Sequence, residues 1–247
     1  MNQHGTSDLS NIELRHVHFW DLDIRQRQDD DGNIYVYQNE PLGPTQSRIT
    51  DKLIEWAKAT PDAMFLADRR EGLDGWRSLT YGQFLTSVEH ISQSLLDQNL
   101  SVDRPVLILS GNDIEHALLA LACIHVGIPY APISQAYSLI SKDHSKLKDI
   151  VKLLNPGLIF AADGKIFDKA IEAVATENVQ IFVTANPANA SQKLFAELQE
   201  TTISSDVAKA HEVVEPDTIA KFLFTSGTTG SPKAVINTNG MICANQA

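Results

Sequence analysis

Apolar residues in this chain follow two spacings in turn. Phe84, Val88, Ile91 and Leu95 recur every three or four residues, which predicts a helix over 80–98. Thr80 and Gln83 stand at capping-box spacing at its start. The continuous run "PVLILS" at 105–110 predicts a buried strand. A second helix follows through "IEHALLALACIHV", with Asn112 as its cap, Glu115 three residues on and Gly127 as its stop. "PYAPI" reads as a short extended piece. A helix over 142–154 is closed by Asn155–Pro156. The strand "GLIFAA", the helix "KIFDKAIEAVAT", the strand "VQIFVTA" and a shorter helix "SQKLFAELQ" follow.

Before this alternation, "ELRHVHFWDLDI" and "NIYVYQ" read as a strand pair around the acidic turn "DDDGN". "RITDKLIEWAKAT" reads as a helix with Ile49, Leu53, Trp56 and Ala57 on one face, ended by Pro61. "AMFLAD" reads as a strand. Residues 202–217 read as a surface connection, "IAKFLF" as a strand and "AVINT" as another. Strands alternating with helices predict an α/β fold of layered, mostly parallel sheets flanked by helices. No linker divides the pattern, so residues 1–247 read as one domain, with 1–46 as a leading strand pair and loop within it.

Composition narrows the partners. The net charge of −11 argues against a nucleic-acid binder, which needs a basic stripe. An anionic ligand would have to be held by local groups. The N-terminus has no basic start or apolar run, and "ALLALACIHVGI" is too short to span a bilayer. A soluble, cytoplasmic protein with no membrane partner is expected. Cys123 and Cys243, far apart and in no metal-type spacing, read as buried apolar residues.

The stretch with most chemistry is "TSGTTGSPK", Thr225 to Lys233. Gly227 and Gly230 can adopt positive φ and let backbone N–H groups approach an anion. Thr225, Ser226, Thr228 and Thr229 add hydroxyl donors. Pro232 fixes the backbone before Lys233, a flexible point charge suited to phosphate. The loop follows a strand, where ligands of parallel sheets sit. It fits neither the Walker pattern, since Pro232 and Ala234 flank the lysine, nor the dinucleotide fingerprint, since a β-branched segment follows rather than a helix. Without a ligand, such a cluster is a hairpin turn.

As an ordered string, Thr225 to Lys233 resembles the signature loop of the adenylate-forming (AMP-binding) ligases: acyl- and aryl-CoA synthetases, luciferases and peptide-synthetase adenylation domains. "LTYGQF" and "GIPYAPIS" resemble earlier segments of that family, in its order. "LSGNDIEHALLALACIHVGIPYAPIS", "AYSLIS", "AVINTN" and "MICANQA" look like the feruloyl-CoA synthase branch. The resemblance implies the N-terminal part of that ligase fold. It implies a carboxylic acid substrate, a hydroxycinnamate such as ferulate or alternatively a medium- or long-chain fatty acid, activated with ATP and Mg2+ and passed to coenzyme A. It implies that Thr225, Ser226, Gly227, Thr228, Thr229, Gly230 and Lys233 hold the β- and γ-phosphates, with Lys233 acting in catalysis. The metal ligands are unassigned, because the family's acidic ligand, its acyl pocket and its small C-terminal domain belong to later segments. A fragment inactive alone, or a module that only binds nucleotide, is the competing expectation. Ala234, Asn239–Gly240 and Gln135 depart from the family pattern; proline is the expected residue at 135.

Other candidates carry less. His16 and His18, two apart on a strand, could face one metal but have no third ligand nearby. "DDDGN" has the wrong register for a calcium loop. Lys142, Lys146, Lys148 and Lys152 read as a solvated face, and Tyr130 and Tyr137 as packing residues.

Overall fold

A computed structural model describes residues 23–69, 75–225 and 232–246. The chain divides into two units, Met1–Gly43 and Pro44–Ala247. In the first, β1 (Ile24–Gln28) pairs antiparallel with β2 (Ile34–Gln38). The hairpin therefore begins where the predicted first strand ends, and residues 13–22 of that strand lie outside the described residues. The polar run Arg25–Gln28 pairs because the turn fixes the register. Asp29 accepts hydrogen bonds from the Asn33 side chain (3.0 Å), the Asp31 and Asn33 amides (3.1 and 2.9 Å) and the Tyr35 hydroxyl (3.0 Å). Those donors, Asn33 first, hold its carboxyl below the usual carboxylate range. Gly32 supplies the positive φ of 82°. "DDDGN" is thus a self-contained turn.

The second unit is built on a seven-stranded sheet ordered β11-β10-β6-β5-β7-β8-β9. Its members are β5 (Val106–Leu109), β6 (Tyr130–Pro132), β7 (Leu158–Asp163), β8 (Gln180–Ala185), β9 (Gln192–Leu194), β10 (Ile219–Thr225) and β11 (Lys233–Thr238). All pairings are parallel except β10 with β11. Between them run α2 (Tyr81–Leu96), α3 (Ile114–His125), α4 (Ser145–Leu154), α5 (Asp168–Val174) and α6 (Ser205–Glu212), with α1 (Thr50–Ala59) before and α7 (Asn239–Ala244) after.

Strand residues alternate between two cores, as the pleat requires. Val106, Ile108, Leu158, Phe160 and Phe182 face α2, α3 and α6. Leu107, Leu109, Ile159, Ala161 and Val183 face α4 and α5. Both faces of the sheet are covered, which is why its central strands read as unbroken apolar runs. Phe84, Val88, Ile91 and Leu95 are fully buried, each stabilising by roughly 2–3 kcal/mol. The Thr80–Gln83 capping box forms in both directions.

Several elements differ from expectation. "AMFLAD" forms β3 (Met64–Asp68), but outside the main sheet. It pairs antiparallel with β4 (Arg77–Thr80), too short and polar to stand out in the sequence. Trp56 lies on the open side of α1 at 47% exposure, while Leu53 and Ala57 are buried. Asp113, not Asn112, caps α3, accepting from the His116 amide at 2.7 Å. "SQKLFAELQ" is not one helix: Gln192–Leu194 extends the sheet, and Phe195–Gln199 forms a 3-10 turn that buries Phe195 and Leu198. The expected connection at 202–217 contains α6, capped by Ser204 and anchored by buried Val207 and His211.

Candidate functional site

Five parallel strands and β10 bring their carboxyl ends to one edge of the sheet. From β5 the chain crosses through α3 to β6 on one side, then returns through α4 to β7 on the other. Crevices at such reversals are where open α/β sheets bind ligands. β10 lies beyond β6 and ends at this edge with Thr225; β11 begins there with Lys233. Thr225 and Lys233 are direct partners in the antiparallel ladder, and both are exposed. Pro232 is buried and fixes the entry to β11. Among the described residues the Lys233 ammonium has no hydrogen-bond or ion-pair partner. The residues between, including the candidate phosphate ligands Ser226, Gly227, Thr228, Thr229 and Gly230, lie outside the described residues.

At the end of β5 the structure brings together Ser110 and His116, a pair that sequence spacing did not single out. Ser110 Oγ is 2.9 Å from His116 Nδ1, and the same nitrogen is 3.0 Å from the Gly111 carbonyl. A carbonyl only accepts, so Nδ1 carries the hydrogen and cannot take the serine proton. The pair is therefore a turn-stabilising contact and not a nucleophile with its base. A cavity of about 240 Å³ lies alongside, lined by Leu66, Asp68, Asn112, Asp113 and His116 among others.

One wall is fixed by an ion-pair cluster. The Arg77 guanidinium bonds Asp68 through Nε and Nη2 (3.1 and 2.8 Å) and Glu115 through Nη1 and Nη2 (2.6 and 2.9 Å). Glu115 and Asp68 together push the Arg77 proton affinity further up. This ties β3 and β4 to the first turn of α3, so Glu115 serves as an interelement anchor.

The AMP-binding enzyme family matches residues 53–247. The chain belongs to this family. Among its relatives, the PKS-NRPS hybrid synthetase psoA of Aspergillus fumigatus is 26% identical over 202 residues, 82% of this chain and 4% of that protein. The medium/long-chain-fatty-acid–[acyl-carrier-protein] ligase FadD10 of Mycobacterium tuberculosis is 25% identical over 196 residues, 78% of this chain and 33% of that ligase. The chain thus spans about a third, or much less, of these relatives. The fatty acyl-adenylate ligase of L. pneumophila, solved with acyl adenylate and pyrophosphate, shares the fold: TM-score 0.55 at 18% identity, covering 78% of this chain and 30% of that one. The α/β sheet with its helical layers is that of the N-terminal region of an adenylate-forming ligase.

His16 and His18 lie outside the described residues. Among the described residues no group of three His, Cys, Asp or Glu side chains could hold a metal ion, and no helix is long and apolar enough to cross a membrane. Lys142, Lys148 and Lys152 are exposed, while Lys146 lies 5.3 Å over the Tyr137 ring. Tyr130 is buried in the core, where loss of hydration pushes its hydroxyl up to about 12. Cys123 and Cys243 are free and buried, and burial raises both thiols.

Proposed function

We propose that this chain forms the N-terminal part of an ATP-dependent acid–thiol ligase, and that residues 1–247 belong to its adenylation domain. The observation that carries this is the pairing of Thr225 with Lys233 across the ends of β10 and β11, at the carboxyl edge of the sheet. In the first step a carboxylate oxygen attacks the α-phosphorus of ATP, and the bond to pyrophosphate breaks. In the second, the sulfur of coenzyme A or a carrier thiol attacks the acyl carbon, AMP leaves, and the thiol proton is released. The backbone amides and hydroxyls of Thr225 to Gly230 and the Lys233 ammonium would hold the β- and γ-phosphates, where negative charge concentrates as pyrophosphate departs. In a chain of net charge −11, that lysine must act locally. Magnesium, when bound, supplies further neutralising charge to the phosphates.

For the acid, we favour a hydroxycinnamate such as ferulate, on the resemblance of residues 109–134 to feruloyl-CoA synthases. A medium- or long-chain fatty acid is the second reading, because FadD10 carries that activity in its name. Calorimetry with ATP tests the nucleotide site: saturable binding is expected, weakened at least tenfold in Lys233→Ala, and equal affinity in the variant refutes the assignment. ATP–pyrophosphate exchange in the protein that carries this sequence, with ferulate and decanoate in turn, tests the acid; exchange with neither rejects both.

A further inference from the structure

A cavity of about 510 Å³ opens at the amino edge of the sheet, between the end of α2, the starts of β7 and β8, and β9. This is the edge opposite to Lys233. Arg104, just before β5, and Lys193 of β9 line it with two positive charges. Asp97, just after α2, and Glu197, beyond β9, line it with two negative ones. None of the four forms an ion pair. The Arg104 guanidinium donates to the carbonyls of Asn99 and Asn178, through Nε and Nη2, both at 3.1 Å. Lys193 Nζ donates to Gln180 Oε1 at 2.9 Å. Asp97 accepts from Gln93 Nε2 and Glu197 from the Leu194 amide, each at 2.9 Å. Among the described residues these are the only polar partners of the four charged groups.

The guanidinium is held in place. Gly157 is not a positive-φ glycine, so it is not there for backbone conformation. A Cβ on it would stand 2.6 Å from Leu100 Cδ2 and 3.1 Å from Arg104 Nη2. The bare backbone makes room for both side chains. Two backbone carbonyls then fix the plane of the fork and leave its remaining N–H donors free.

Opposite charges that share a cavity without pairing attract one another only weakly through water. Two of each sign favour neither a bare anion nor a bare cation, but they suit a molecule that carries one of each. A carboxylate matches the fixed guanidinium fork. An ammonium matches the carboxylates. At Asp97 the end of α2 adds to their pull, because its last turn holds no basic residue to offset the outward carbonyls. The exposed carboxamides of Asn178 and Gln180 lie on the same wall and suit a polar side chain.

We propose that this cavity binds a small polar α-amino acid as its zwitterion, with the carboxylate on Arg104 and Lys193 and the ammonium on Asp97 and Glu197. The site is separate from the AMP-binding edge and does not depend on the nucleotide reading.

Calorimetry of the full chain with L-glutamine, N-acetyl-L-glutamine and L-glutamine amide tests it. Glutamine should bind saturably. The acetyl form lacks the ammonium and the amide form lacks the carboxylate, so each should bind at least about tenfold more weakly, the usual worth of one contact to a charged group. Glu197→Gln keeps an acceptor for the Leu194 amide and removes only the charge. It should weaken glutamine and leave the acetyl form unchanged. Lys193→Met should weaken glutamine and leave the amide form unchanged. Both side chains are exposed, so thermal midpoints without ligand should match wild type. Arg104→Lys keeps the charge without the fork and should also weaken glutamine. No saturable signal with glutamine overturns the proposal. Equal affinity for the three compounds overturns the zwitterion as the ligand class. Glutamine binding that is unchanged in both Glu197→Gln and Lys193→Met places the amino acid elsewhere on the protein and overturns this site.

Discussion

His125, at the end of α3, should make this protein sensitive to mild acid. The residue is 3% exposed, and its Nδ1 is buried without a hydrogen-bond partner. Its ring stacks on His211 of α6 with centroids 4.1 Å apart. Burial first, then the facing His211 ring, depress its pKa from 6.5 to about 3; Asp51 opposes them, and the nearby Arg48 guanidinium adds a smaller depression. A histidine with a depressed folded pKa is neutral in the folded state. Its contribution is fully present above pH 6.5 and is lost as pH falls toward 3, because the unfolded chain takes up a proton that the folded one refuses. Between pH 7.5 and 5.5 this amounts to about 1.4 kcal/mol of lost stability. His125→Leu removes the proton site and the orphaned nitrogen together, so stability at pH 7.5 should change little. Urea unfolding followed by circular dichroism, at intervals from pH 5.5 to 7.5, measures both proteins. The variant's acid limb should be flatter by that amount. An unchanged slope would show that His125 does not resist protonation and that the acid sensitivity lies elsewhere.

Two further substitutions probe the fold. Thr80→Ala removes one half of the capping box at the start of α2 and should cost about 1 kcal/mol in urea unfolding; a loss under a few tenths would mean that Gln83 alone satisfies the helix end. Arg77→Lys keeps the charge but cannot make the four contacts to Asp68 and Glu115. A loss of about 2 kcal/mol is expected, and a neutral outcome would show that the guanidinium geometry is dispensable.

The sheet was legible because its helices carry their own marks. Phe84, Val88, Ile91 and Leu95 announce α2 by spacing alone, and all four are buried. The apolar run Val106–Leu109 announces a strand covered on both faces. α6 was hidden for the opposite reason: it rests on Val207 and His211, and one apolar residue with a histidine makes no stripe. Ser204 was the available signal, as a helix cap. β4 needs β3 to exist, and a pairing between two short segments leaves no local trace. At the site, Thr225 to Lys233 stood out by composition.

The antiparallel closure of β10 by β11 has a consequence for how this loop can vary. Side chains along β11 alternate between the two faces of the sheet, so a one-residue slip against β10 would send Lys233 to the face opposite its present one. Changes of loop length that the hairpin absorbs by sliding are then bound by parity: two residues gained or lost restore the lysine to its face, and one does not.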